Sequence, residues 1–400
     1  MTATTASASR SAGFHLSLLW LIGIQLRLTM LAVPPVLPLI HRDLDLSEKA
    51  IGALSALPVL LLGLAAVPGS LMIARFGARR ACILGLTLVA AAGAARGFGP
   101  SGPMLYGMTL AMGTGVALMQ PTLPSLVGEW FPSRAGFATA VYANGLLIGE
   151  AVPPAVTISL VLPWVGGSWP LSFVAWSIPA ALTALLFALT TRSHPSTRPI
   201  RSLRWWPDWR SGLLWRVGML LGGTGGTYFF ANAFIPDYLH AIGQPTLVGP
   251  CLGALNIGQL PASALVLAFA QRLTGRRAVF VISPLGALAG LAAFLSGSPA
   301  LVVAAAGLIG FCCGMQLILS LALPPVLASA EDVHRLSAGM FAIGYFISFL
   351  TPPIGGAIWD ATGVPAMSFI AAALSVALVI GAGATLRPLR TAPAGSARRR

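Results

Sequence analysis

Acidic side chains are almost missing from this chain: ten Asp and Glu in 400 residues, with charged residues of both signs at 8%. Soluble domains carry about 25% charged residues, so this composition cannot cover an ordinary water-facing surface. Cysteine is scarce too. Cys82, Cys251, Cys312 and Cys313 each fall inside an apolar run, which excludes a disulfide framework or a zinc centre and leaves them as small core residues. The five histidines lie at the ends of apolar runs or between them, without ligand spacing, so no metal site is expected. The glycine-rich run GGTGGT (222–227) lies within an apolar segment rather than between a strand and a helix. It is therefore not a phosphate loop and is expected to allow close packing or bending; no cofactor is expected. An enzyme would need clustered acid, base, metal or nucleophile groups, and the sequence offers no such cluster. The expectation is that this is not an enzyme.

What fills the chain is apolar: 56% hydrophobic residues and a mean hydropathy of +0.84. A run of roughly 18–20 apolar residues is long enough to cross a hydrocarbon core of about 30 Å. Twelve such runs are present, near 14–40, 49–74, 80–98, 103–128, 136–162, 169–191, 212–236, 246–271, 278–297, 299–327, 336–358 and 365–387. In lipid each must be a helix, because an open backbone cannot satisfy its hydrogen bonds there. The fold class expected is an all-α membrane protein with twelve transmembrane helices. The polar stretch 1–13 reads as a disordered tail, and the run after it is too long for a cleavable signal peptide.

The net charge of +14 does not point to nucleic acid, because of where the charges fall. Twenty of the 24 Lys and Arg lie in the tails and in connections after even-numbered segments. Arg42, Lys49 and Arg96 lie on the opposite side, where Arg96 is expected to snorkel to the interface. The positive-inside rule then places both termini in the cytoplasm of a multi-pass inner-membrane protein. Arg27 alone is left inside the membrane.

The chain also repeats itself. RFGARR (75–80) corresponds to RLTGRR (272–277), Met119-Gln120 to Met315-Gln316, Ala135-Gly136 to Ala338-Gly339, and Pro153-Pro154 to Pro352-Pro353, all at nearly one offset. This gives two six-helix halves, 14–191 and 212–387, joined by a basic Trp-rich cytoplasmic linker (192–211) and followed by a basic tail (388–400). Parallel halves with a solute site between them at midplane are a plan of secondary transporters. Both halves lie in one chain, so a monomer is expected to suffice.

These motifs resemble the major facilitator superfamily. SLMIARFGARR (70–80) keeps Leu71, Arg75, Gly77, Arg79 and Arg80 of its second-to-third connection, with Ser70 in place of Gly and Ala74 in place of Asp. A narrower resemblance is to the cyanate and 2-nitroimidazole transporter family. It rests on QLR (25–27), LPSLVGEWFPSRAGFATAVYANG (123–145) and SAGMFAIGYFISFLTPPIGGAIWDATG (337–363). The resemblance implies solute transport and a first helix packed beside the fifth.

Arg27 lies about 13 residues into its segment, roughly 20 Å deep at 1.5 Å per residue. A charge at that depth costs about 2.5–3.5 kcal/mol on insertion scales, so it is expected to face a cavity or a partner. Its planar fork suits an anion, and it cannot lose its proton. Glu150, at about the same depth, is a counter-ion or proton-coupling candidate, with a structural role as the alternative. Further substrate-binding candidates are Gln120, Tyr228, Asn232, Gln316 and Tyr345. Gln120 and Gln316 are repeat equivalents, and Tyr228 and Asn232 share a helix face at i and i+4. Gln25, Asn256, Gln259 and Ser348 complete the expected lining. Interhelical hydrogen bonding, worth about 0.6 kcal/mol on average, is the plainer role for each.

Together these features predict a secondary active transporter of a small anionic or polar solute, a monoanion or polar heterocycle, with protons as a candidate coupling ion. An exporter of neutral or cationic drug-like compounds is the alternative on the same fold. A non-transporting receptor or enzyme is the alternative of another class. Breaks are expected at Pro34, Pro35 and Pro38, at Pro121 and Pro124, at Pro153 and Pro154, and at Pro352 and Pro353.

Overall fold

The computed structural model describes residues 2–45, 57–99, 101–191 and 204–386, with side chains from Ala12 onward. Lys49, most of the linker and the basic tail lie outside the described residues. Every regular element among the described residues is helical. Seven helices are long and apolar enough to cross a membrane, while Ala12–Gln25 and Val279–Leu295 are apolar but shorter.

The first half comprises α1 (Thr2–Gln25), α2 (Leu37–Leu44), α3 (Ala66–Ala95), α4 (Gly102–Met119), α5 (Thr122–Trp130), α6 (Ala135–Val156) and α7 (Trp169–Thr190). The second comprises α8 (Gly212–Ala241), α9 (Val248–Ile257), α10 (Gln259–Leu273), α11 (Val279–Leu295), α12 (Pro299–Leu321), α13 (Leu323–Leu327), α14 (Val333–Thr362) and α15 (Phe369–Ala384). In the first, α1 packs on α6, and α3 on α4 and α7; in the second, α8 packs on α14 and α15, and α12 on α9, α10 and α11. The halves meet where α6 touches α10 and α12, and where α14 touches α3 and α5.

Several breaks fall where the sequence places its helix breakers. The first segment stops at Gln25 and resumes as α2 after a short turn at Pro34–Val36. The fourth stops at Met119 and restarts at Thr122, across Gln120 and Pro121. The fifth carries Pro153 and Pro154 in its last turn and relaxes into a π-helical turn at Thr157–Val161, as expected where a missing N–H loosens the ladder. In contrast, α14 runs straight through Pro352 and Pro353. Gly77 (φ 79°) interrupts α3, and Gly275 (φ 80°) follows α10. Both glycines of the repeated basic motif thus adopt a left-handed backbone that a side chain would resist.

The helix α1 has its first residue at Thr2, and no Gly or Pro precedes Gly13 in the sequence. One expectation needs correction. Arg96 does not snorkel: it is 0% exposed, because its guanidinium finds a carbonyl and an aromatic face inside the half rather than at the interface.

Small residues set the distances that matter for the site. A Cβ on Gly145 would lie 2.3 Å from the Trp20 carbonyl oxygen, and one on Gly149 2.2 Å from that of Ile24. Without side chains at 145 and 149, α1 and α6 approach backbone to backbone, as in other small-residue membrane interfaces. Arg27 and Glu150 follow directly in sequence. Similarly, α8 continues unbroken through Gly222–Thr227, and a Cβ on Gly223 would meet the Ser375 carbonyl at 2.3 Å. That run therefore serves close packing, not bending.

Candidate functional site

The break after Gln25 creates the first part of the site. Residues 26–32 form successive turns, with the Arg27 amide donating to Ile24 O at 3.2 Å and the Leu31 amide to Arg27 O at 2.9 Å. Irregular backbone at membrane depth is tolerated where it is buried in protein or lines a cavity. Here it presents Arg27, 7% exposed, toward the second half.

Two polar groups meet at that point. In the first, Tyr345 Oη on α14 accepts from Arg27 Nη2 at 3.1 Å and from Gln120 Nε2 at 2.8 Å. Gln120 can reach it because it sits in the break between α4 and α5. In the second, the Tyr228 hydroxyl on α8 donates to Glu150 Oε1 on α6, and its oxygen lies 2.5 Å from Asn256 Oδ1. Asn256 Nδ2 in turn lies 3.3 Å from Asn232 Oδ1. Gln259 also reaches the Tyr228 hydroxyl.

Arg27 Nε and Glu150 Oε2, 3.9 Å apart with side chains 8% and 14% exposed, join the two groups. That separation exceeds the hydrogen-bond range of 2.7–3.2 Å, so the charges face each other without a direct bond. Arg27 Nη1 is buried and has no partner. One arm of the guanidinium fork is thus held by Tyr345 and the other is unused. Three of these contacts, Arg27–Tyr345, Gln120–Tyr345 and Tyr228–Glu150, join one half to the other.

The structure therefore brings together Arg27, Gln120, Glu150, Tyr228, Asn232, Asn256, Gln259 and Tyr345. It turns three expected lining residues elsewhere. Gln316 donates to the Val279 carbonyl at 2.9 Å within its own half, so the repeat pair Gln120 and Gln316 is not symmetric in its contacts. Gln25 reaches Thr183 Oγ1 at 3.3 Å, inside the first half. Ser348 bonds back to the Gly344 carbonyl at 2.9 Å on its own helix, the usual use of a helical serine.

Asn144 was not among the expected residues. It accepts from Trp20 Nε1 at 2.9 Å and donates to Ser263 Oγ on α10 at 3.0 Å, linking α1, α6 and α10. An Asn within an apolar span was the available signal, but its sequence position does not tell which neighbour it meets.

Known proteins resemble this chain in sequence and in fold. The chain is 27% identical over 383 residues to the 2-nitroimidazole transporter of Escherichia coli, covering 94% of this chain and 97% of that one. It is 26% identical over 395 residues to the cyanate transport protein CynX of the same organism, with the same coverage. In fold it superposes on the human organic anion transporter MFSD10 with a TM-score of 0.77 at 14% identity, covering 94% of this chain and 99% of that one. Since the model of the Major Facilitator Superfamily matches residues 19–252, more than half of the chain, the protein belongs to that superfamily and is a transporter, not an enzyme.

Proposed function

We propose that the protein is a secondary active transporter that moves a small monoanion or polar heterocycle across the inner membrane by rocking its halves about a midplane site. Arg27 anchors the solute, and Glu150 is its counter-ion when the site is empty. One observation carries this reading: a buried arginine in a broken helix, facing the other half, with Nη1 unpaired. A guanidinium offers five donors in a fixed fork, and the unpaired Nη1 leaves a charged donor free for an oxygen of an oxyanion or a nitro group. Gln120, Tyr228, Asn232, Asn256 and Tyr345 add neutral donors and acceptors around it. The two relatives named for solutes support the class, since cyanate is a monoanion and 2-nitroimidazole a planar polar heterocycle.

Proton coupling through Glu150 is part of the same proposal, and the contacts of Tyr228 support it. Tyr228 has one hydroxyl proton and faces two acceptors, Glu150 Oε1 and Asn256 Oδ1. An anion on Arg27 takes over the charge that Glu150 balanced. A proton taken up by Glu150 then lets it donate to Tyr228, which donates to Asn256, so every acceptor in the chain is satisfied. The driving energy is a gradient, since the sequence has no nucleotide-binding motif.

The second reading is export of a neutral or cationic compound through the same fold. The neutral second-half wall of Tyr228, Asn232 and Asn256 favours it. Thermal shift of the wild type and Arg27→Ala with cyanate, formate and 2-nitroimidazole separates the two. A bound solute stabilises by RT ln(1 + [L]/Kd), about 2.7 kcal/mol at 100 Kd. Stabilisation by an anion that disappears in Arg27→Ala supports the anchor. Equal stabilisation of both proteins by the neutral compound makes Arg27 structural and moves the exporter ahead.

A further inference from the structure

Arg96 is the second buried arginine of the first half, and nothing in solute transport yet accounts for it. It caps the C-terminal end of α3, is 0% exposed, and is paired with no carboxylate among the described residues. Its guanidinium carbon lies 4.5 Å from the centre of the Phe173 ring, and Nε turns back to the Gly93 carbonyl at 3.4 Å. Nη2 donates to the Thr29 carbonyl at 3.0 Å.

That last contact crosses from α3 into the broken stretch of the first segment. A helix break leaves backbone carbonyls without their usual donors, and in a membrane no bulk water replaces them. Thr29 is itself fully buried, so its carbonyl depends on a donor from the protein. An apolar side chain at position 96 could fill the space but not supply that donor. Thr29 lies two residues beyond Arg27 in the same run of turns, which the bond from the Leu31 amide to Arg27 O closes. Fixing Thr29 therefore fixes the direction in which the Arg27 side chain leaves the backbone.

We infer that Arg96 is a positioning residue for Arg27: it pins the Thr29 carbonyl, with Phe173 as the seat of its guanidinium, and so aims the Arg27 fork at Tyr345 and the space between the halves. This rests on Arg27 as the solute anchor for its functional meaning, but the link from Arg96 to Arg27 stands on geometry alone and is tested without solute.

The test is a double-mutant cycle on the full-length protein in lipid nanodiscs, read as the thermal unfolding midpoint. Tyr345→Phe is made in the wild type and in Arg96→Met. If Arg96 aims Arg27, the Arg27–Tyr345 contact is already lost in Arg96→Met. The midpoint shift caused by Tyr345→Phe then falls to less than half its wild-type size, and Arg96→Lys, which keeps one donor for Thr29, restores part of it. Hydrogen exchange of amides 26–33 rises at least tenfold in Arg96→Met while α8 and α14 keep their protection. An equal Tyr345→Phe shift in both backgrounds, or unchanged exchange at 26–33, overturns the inference. Residues in contact couple and distant ones add, so a merely structural Arg96 leaves the Tyr345 shift intact. Should Arg96→Met fail to fold, Phe173→Leu removes only the ring beneath the guanidinium and enters the same cycle with the same two outcomes. Failure of the anchor reading shows separately, as solute binding unaffected by Arg27→Ala.

Discussion

Replacing Glu150 by Gln is the sharpest probe of the site. Gln keeps the shape and can still accept from Tyr228, but it removes the charge facing Arg27. At the observed 3.9 Å and an effective dielectric of about 20, the attraction removed is about 4 kcal/mol before solvation is counted. Breaking a buried pair by removing one partner costs about 3–5 kcal/mol, because the other charge is left uncompensated. The partial exposure of Glu150 places the expected loss of stability at the lower end, about 3 kcal/mol. Affinity for an anion moves the opposite way. In the wild type an anion competes with Glu150 for Arg27, whereas in Glu150→Gln it does not. A coupling of about 1–3 kcal/mol corresponds to roughly 5–150-fold tighter binding. The assays are thermal unfolding without solute and calorimetric titration with cyanate. Binding that is unchanged or weaker in Glu150→Gln, together with an unaltered melting point, would refute the counter-ion role. If Glu150 also carries the coupled proton, solute uptake by Glu150→Gln into proteoliposomes loses its dependence on an imposed pH gradient.

Other consequences are equally direct. Tyr345→Phe leaves Arg27 Nη2 and Gln120 Nε2 without their shared acceptor and is expected to cost about 1–3 kcal/mol, read as a lower thermal midpoint. Gly149→Ala puts a Cβ 2.2 Å from the Ile24 carbonyl, so α1 must move off α6. An overpacking cost of about 1–3 kcal/mol and weakened solute binding are expected together, and full binding in this variant would show that the close crossing does not position Arg27. At the expected cytoplasmic edge, burial lowers the pKa of His334 below its ordinary value although its ring contacts the Arg204 carbonyl at 3.2 Å. The unfolded chain therefore binds the proton first as pH falls below about 6.5, and stability declines through that window down to the folded pKa. Fluorescence of Trp205, Trp206 and Trp209 is expected to report loosening of the linker on acidification, and the step is expected to vanish in His334→Gln.

The candidate site was readable in part. Arg27 and Glu150 are conspicuous because ionised groups are so expensive at membrane depth that almost none occur there. Rise per residue alone brings them to one level. Tyr228, Asn232 and Asn256 were legible as polar positions on helix faces, but not as a chain ending on Glu150. Gln316 shows the limit of repeat reasoning: its equivalent Gln120 sits in a helix break and reaches Tyr345, whereas Gln316 lies within the continuous α12 and bonds to the Val279 carbonyl. Arg96 shows another limit, since distance from a helix end predicts snorkelling only when no partner is nearer than the interface.

The sequence by itself determined that the chain is a multi-pass membrane protein, that it is helical, where several of its helices break, and which two opposite charges lie at one level of their segments. Those properties follow from composition, the rigid ring of proline and a fixed rise per residue, and need no knowledge of neighbours. Only the tertiary structure decided that Tyr345 meets Arg27 across 318 residues of sequence, that Tyr228 faces Glu150 from the other half, and that Arg96 turns inward to the Thr29 carbonyl. Those contacts depend on how each helix is rotated about its own axis and on which helix lies across from it. Both are set by the mutual packing of small residues such as Gly145 and Gly149 on α6 against the backbone of α1, which no single segment encodes.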